Sequence, residues 1–291
     1  MVDLLVERET FGHGGNQEVV RPFAAAGDVE LLLVTPQMQS FEAGKKAEAG
    51  EVPLSEEDVP HWDDDFPFWQ STTVELEGRT VSFQRIVMPM IENDEDMANW
   101  LDSVAVDAVV CSGSRRNVSM WEDWMAPTAS LVRASANAGR PTLGICFGHQ
   151  LLCHALGATI ERADSLSSGI WDLDFTEIGV DDELLTSHVS DDSCVAGLFT
   201  HQDHVMSVPE SCSLLCSTSH NGVTAVRVLS EDGEPLPSWG IQFHPEAARA
   251  RIERAHEWGH ISDEELASFK GEHDGASILS SFATAVGRYQ A

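Results

Sequence analysis

Short apolar runs alternate with segments of helical period over most of this chain. "VELLLVTP" (29–36) holds a continuous apolar stretch closed by Pro36, the pattern of a strand buried on both faces. "TVSFQRIVM" (80–88) predicts a second strand. In "NDEDMANWLDSV" (93–104) Asn93 stands at an N-cap position, acids fill the first turn, and Met97, Trp100, Leu101 and Val104 share one face, so a helix is expected. "DAVVCSGS" (107–114) reads as a buried strand breaking at a Ser-Gly-Ser turn, and "WMAPTASLVRASANAG" (124–139) as a helix closed by Gly139. Pro141 then opens the strand "TLGI", and "HQLLCHALG" (149–157) is the next helix. Further on, "IWDLDFTEIGV" (170–180), "GVTAVRVL" (222–229) and "SWGIQFHP" (238–245) are strand-like, and the end is helical: "EAARARIERAHEW" (246–258), "SDEELASFK" with a Ser262/Glu265 capping box, and "GASILSSFATAVGRYQ".

Buried-type strands alternating with helices predict an α/β fold, with a mostly parallel central sheet flanked by helices. The later strand-like runs add a small antiparallel sheet, and a helical C-terminal tail follows. With no internal repeat and no linker, residues 1–291 are expected to form one domain, with a core over about 29–250 and the tail over 251–291. Residues 42–67 are acidic, hold three prolines and keep no period, so 37–80 is expected to be an acidic insertion, a loop or lid. The Gly-rich "FGHGGNQ" (11–17) is read as a mobile terminal segment.

Charge sharpens this picture. There are 48 acids against 17 bases, a net charge of −31, and the only lysines are Lys45, Lys46 and Lys270. A small soluble domain typically carries a net magnitude of about 2–8. So negative a field argues against nucleic acid or anionic membranes as partners. It suits a halophile's cytoplasm, where screening over about 3 Å at 1 M salt removes most of the self-repulsion. The apolar runs fall far short of the roughly 20 residues of a membrane-spanning helix. "MVDLLVERETF" lacks the basic start of a signal peptide, so a cytosolic protein is expected. The six cysteines form neither a disulfide framework nor a CxxC pair, and Cys212 and Cys216 in "CSLLC" read as core. No metal and no cofactor is expected.

One cysteine stands apart. In "PTLGICFGHQLL" (141–152), Cys146 lies at the joint between a strand and a helix, with Gly144 and Gly148 two residues to either side. Such a turn forces the side chain outward, while the helix N-terminal amides favour a thiolate and then an oxyanion, Phe147 N–H first. A useful thiol nucleophile needs a histidine, and the histidine needs an orienting acceptor. "GIQFHPE" (240–246) supplies both in His244 and Glu246, at another strand end.

"GICFGHQLL" followed about 100 residues later by "GIQFHPE" resembles the class I, triad-type glutamine amidotransferase family, close in pattern to the glutaminase part of GMP synthetase. The similarity covers about residues 105–250. It implies a flavodoxin-like fold, Cys146 as nucleophile, His244 as general acid and base, and Glu246 as the orienting carboxylate. "CSGSRRNVSMWEDW" (111–124) is similar to the family's oxyanion turn, which implies that Gly113 or Ser114 offers a backbone N–H. The resemblance further implies that Gln150 contacts the glutamine substrate. "THQDHV" (200–205) is similar to the family's His-rich loop, with His201 and Asp203 holding the amino-acid end. His149 and His154 read as helix packing.

The implied reaction is cysteine-dependent hydrolysis of the γ-amide of glutamine or a γ-glutamyl compound through a thioester. No P-loop pattern follows residue 250. Two other readings stay open: a glutaminase subunit passing ammonia to a separate ATP-dependent synthetase, and a catalytically silent binding or regulatory protein.

Overall fold

The computed structural model describes residues 1, 2, 4, 16–36, 72–185, 195–247, 249–257, 262–269 and 271–289. Helix α1 (Asn16–Ala26) and strands β1 (Val29–Thr35), β2 (Thr72–Leu76) and β3 (Arg79–Val87) come first, followed by α2 (Asp94–Ser103) and β4 (Val109–Cys111). Helix α3 (Met125–Asn137), β5 (Thr142–Ile145), α4 (Phe147–Ala155), β6 (Ile160–Asp172) and β7 (Asp174–Phe175) form the middle. Strands β8 (Ala196–Val205), β9 (Cys212–Thr218), β10 (Asn221–Leu229) and β11 (Pro235–Ile241) lead to α5 (Arg249–Glu257), α6 (Asp263–Ser268) and α7 (Gly275–Tyr289).

Six strands pair in the order β4-β5-β11-β10-β9-β7, and three more in the order β1-β3-β2. The two groups are joined through one residue: Val2 bridges Val34 and Cys111, parallel to both. Its N–H donates to Val110 C=O at 2.7 Å, and Val34 N–H donates to Met1 C=O at 2.8 Å. The pairs β1–β3, β4–β5 and β5–β11 are parallel, whereas β2, β10, β9 and β7 run antiparallel to their neighbours. The expected α/β architecture is present, and its sheet, expected to be mostly parallel, is mixed because β2, β10, β9 and β7 join it antiparallel. The additional antiparallel sheet is the β6–β8 pair.

Strand alternation divides the core in two. Val109 and Cys111 of β4 and Val226 and Val228 of β10 pack with Met97, Val132 and Leu151 from α2, α3 and α4. Val110 of β4 and Ala225 of β10 pack instead with Val19 of α1 and Ile278, Leu279 and Phe282 of α7. Helix α2 starts as its sequence predicts, with Asn93 Oδ1 accepting from Asp96 N–H at 3.0 Å. Cys212 and Cys216 are core residues of β9.

Three expectations are corrected. Asn16 and Gln17, read within a mobile segment, begin α1, whose Val19, Val20 and Ala24 are buried despite Pro22 inside the helix. Residues 11–15 lie outside the described residues. The 37–80 insertion is too long at its C-terminal end, because residues 72–80 enter the β2–β3 hairpin, where Val74 pairs with Val81; residues 37–71 lie outside the described residues. The expected strand over 170–180 is interrupted: β6 ends at Asp172, β7 is two residues long, and Gly179–Asp181 is a 3-10 turn.

Candidate active site

Three adjacent parallel strands, β4, β5 and β11, end on the same rim of the sheet, and chemistry follows each end. Gly144 pairs with both Cys111 and Gly240, and Ile145 pairs with Ile241. Cys146 N–H continues the ladder by donating to Ile241 C=O at 2.8 Å. The chain then turns sharply into α4. Cys146 holds φ 51° and ψ −101°, a conformation that costs a non-glycine residue roughly 1–3 kcal/mol and clusters at functional sites.

The flanking glycines answer to close backbone approach. A Cβ on Gly144 would lie 2.5 Å from Gly148 C=O oxygen, and one on Gly148 would lie 2.2 Å from Cys111 C=O oxygen. Strand β5, the start of α4 and the end of β4 thus pack backbone against backbone. Phe147 is the first residue of α4, so its N–H belongs to the first-turn amides that have no partner within the helix.

His244 lies three residues beyond β11, held by its own N–H donating to Leu198 C=O of β8 at 2.7 Å. Its Nδ1 is 2.9 Å from Glu246 Oε1, and its ring is 13 % exposed. With Nδ1–H donating to the carboxylate, Nε2 has no hydrogen-bond partner among the described residues. Burial pushes the imidazole down, but the Cys146 sulfur and the Glu246 carboxylate outweigh it and raise the pKa to about 10. A charged imidazole beside the Glu246 carboxylate follows. Gly113, just past β4, closes the group: a Cβ there would stand 2.8 Å from His244 Cε1 and 3.7 Å from Cys146 Cβ. Ser114 Oγ accepts from Arg116 N–H at 3.0 Å and shapes the same turn.

The remaining residues singled out in the sequence lie on one side of this group. "THQDHV" is not a loop but the C-terminal half of β8, paired with β6, because its alternate residues are buried. Thr200 C=O is 3.9 Å from Cys146 Sγ. His201 is buried, donates from Nδ1 to Asp203 C=O at 3.0 Å, and leaves Nε2 without a partner among the described residues. Burial pushes its pKa down to about 3, so it is neutral. Gln150 is buried, and its Nε2 donates to Asp203 C=O at 2.9 Å and to Gln242 Oε1 at 3.1 Å. Both carboxylate oxygens of Asp203 accept from Ser119, which no local signal in the sequence marks.

His149 is fully buried on α4, with Nε2 3.1 Å from Val223 C=O, and His154 packs against Trp121 with the rings tilted by 49°. A cavity of about 450 Å³ lies behind Pro245, between α1, α5 and α7; neither Cys146 nor His244 lines it. Among the described residues, no three His, Cys, Asp or Glu side chains converge as metal ligands would, and no helix is long and apolar enough to cross a membrane.

Comparisons with known proteins bear on the family and the fold. The model of the family described as glutamine amidotransferase class-I matches residues 72–255. Gamma-glutamyl peptidase 3 of Arabidopsis thaliana is 30% identical over 173 residues, 58% of this chain and 64% of that protein. A glutamine-hydrolyzing GMP synthase subunit of Methanocaldococcus jannaschii is 33% identical over 114 residues, 38% of this chain and 54% of that protein. The chain thus spans somewhat less than two thirds of these curated relatives. A glutamine amidotransferase structure from Thermotoga maritima superimposes with a TM-score of 0.53 at 15% identity, covering 89% of this chain and 98% of the other. At that identity the likeness concerns the fold.

Proposed function

The chain belongs to the class-I glutamine amidotransferase family, and from that premise we propose that it hydrolyses the γ-amide of glutamine or a γ-glutamyl compound with a Cys146–His244–Glu246 triad. The observation that carries this reading is His244, joined to Glu246 through Nδ1 and held charged beside the Cys146 sulfur.

In this reaction the Cys146 thiolate attacks the γ-carbonyl carbon, and the amide π electrons move onto oxygen. Phe147 N–H and the Gly113 turn face the developing oxyanion, where each preorganised donor contributes about 10²–10³ in rate. His244 Nε2–H protonates the leaving nitrogen as the C–N bond breaks, giving a γ-glutamyl thioester and ammonia or an amine. Water then loses a proton to Nε2, attacks the thioester, and releases glutamate and the thiolate. The unpartnered Nε2 of neutral His201 is an acceptor suited to an N–H of the amino-acid end, with Gln150 beside it.

The test is glutamate release from L-glutamine by the purified chain in multimolar KCl, beside Cys146→Ala. Release that disappears with Cys146 is expected; none from folded wild type rejects a self-sufficient glutaminase. Glu246→Gln removes a charge that raises the His244 pKa, so the alkaline limb of the rate profile is expected to move to lower pH.

A second reading rests on the match to the Methanocaldococcus jannaschii GMP synthase subunit: a glutaminase that hands ammonia to a separate synthetase. Release appearing only when such a synthetase is added would favour it. The net charge of −31 supports a cytoplasm rich in salt. A melting temperature that rises between about 0.1 M and about 3 M KCl is expected, and an unchanged one counts against that setting.

A further inference from the structure

We propose that Asp203 is a positioning residue: it clamps the turn after β4 to the β6–β8 sheet through Ser119 and so sets the oxyanion donors. The proposal rests on the hydrolytic reading above and assigns Asp203 a role away from the substrate.

The clamp has two strands. Ser119 N–H donates to Asp203 Oδ2 and Ser119 Oγ–H to Oδ1, each at 2.7 Å. Two donors on two oxygens fix both the position and the rotation of the backbone at residue 119, and hydrogen bonds to a charged group are among the stronger ones. Asp203 is 1% exposed, so these bonds are the carboxylate's compensation for leaving water. An asparagine could keep both contacts in neutral form, its oxygen taking Ser119 N–H and its NH₂ donating to Ser119 Oγ, so alanine, which removes both, is the substitution that opens the clamp.

The same residue ties in the other two walls. Its C=O accepts from Gln150 Nε2 and from His201 Nδ1. Gln150 N–H in turn donates to Cys146 C=O at 3.0 Å, and its Nε2 also reaches Gln242, two residues before His244. Asp203 therefore joins the turn carrying Gly113, the helix of the nucleophile and the strand leading to the base.

The turn needs this hold. Gly113 stands against both Cys146 and His244 with no space for a Cβ, so a small displacement alters the site directly. A misplacement of about 1 Å at a reacting centre costs on the order of 10²-fold. Ser119 itself lies at the surface, where water competes for its donors once the clamp opens.

The experiment combines steady-state kinetics on L-glutamine with hydrogen exchange of residues 112–120, for the full chain, Asp203→Ala and Ser119→Ala. Asp203→Ala is expected to lower kcat about 10²-fold with KM within about twofold, and Ser119→Ala about tenfold. The double variant should be no slower than Asp203→Ala alone, since both remove one device. Exchange over 112–120 should quicken in each variant while that of α4 stays unchanged.

A KM raised at least about tenfold by Asp203→Ala, with Ser119→Ala at wild-type kcat, would place Asp203 on the substrate and overturn the proposal. Unchanged exchange in the turn would overturn it as well. Ser119→Ala decides the matter if Asp203→Ala fails to fold. Should the wild type release no glutamate, the hydrolytic reading fails separately, and exchange alone decides the clamp.

Discussion

Two walls meet at Cys146, and they are held by opposite means. On the β5–α4 side, backbone packs on backbone: Gly144 against Gly148, and Gly148 against Cys111, at distances that admit no side chain. On the β8 side, polar groups make the joins: Asp203 with Ser119, Gln150 with Asp203, and His244 N–H with Leu198. The first kind of contact is close-packed and cannot yield to an added atom without strain. The second is directional and can open and re-form, with water competing at its outer edge. The nucleophile is thus placed by sterics and its surroundings by hydrogen bonds.

The sharpest way to break this contrast is Gly148→Ala. The new Cβ would stand 2.2 Å from a main-chain oxygen that cannot swing away, because Cys111 is paired within β4–β5. Loss of at least about 3 kcal/mol is expected, seen as a lowered midpoint in urea. A wild-type midpoint would show that the joint is not close-packed.

Gly113→Ala probes the boundary between the two walls. Its Cβ would meet His244 Cε1 at 2.8 Å, a side chain that can rotate or shift. The cost therefore falls on chemistry: kcat lower by about 10²-fold with a melting temperature within a few degrees of wild type. Paired loss of stability and activity would show instead that the turn is as rigid as the joint.

A smaller effect comes from the titratable group inside the packed wall. Burial lowers the His149 pKa from 6.5 to about 4, outweighing its bonds to the Val223 and Gly240 backbone. A depressed folded value means that neutral His149 contributes stability fully present above about 6.5 and lost as pH falls toward 4 and below. The change amounts to about 3 kcal/mol. In His149→Gln the urea midpoint should fall less steeply over that window; an identical slope would assign the acid sensitivity to other groups.

The nucleophile's joint was legible in the sequence because its causes are local. Gly144, Cys146 and Gly148 lie within five positions, and the strand-turn-helix they require follows from steric limits that any chain must obey. Asn93 and its helix were equally legible, since a cap bonds three residues away. Helix α1 was hidden by the glycines before it and by Pro22, and it is stabilised by burial against α7, where Phe23 meets Phe282 at 6.0 Å. Strand β8 was read as a loop because its polar residues look solvated until β6 covers them.

By itself, then, the sequence determined the order of strands and helices over residues 80–157, the thiol at a strand–helix joint and the His-x-Glu turn, through propensities and sterics acting over a few residues. Tertiary structure decided which strand ends lie side by side, how Val2 joins two groups of strands, and that Ser119 meets Asp203 across 84 positions. The reason is physical: pairing and burial between distant segments depend on the closed chain as a whole, and no local pattern encodes which buried carboxylate a surface serine will find.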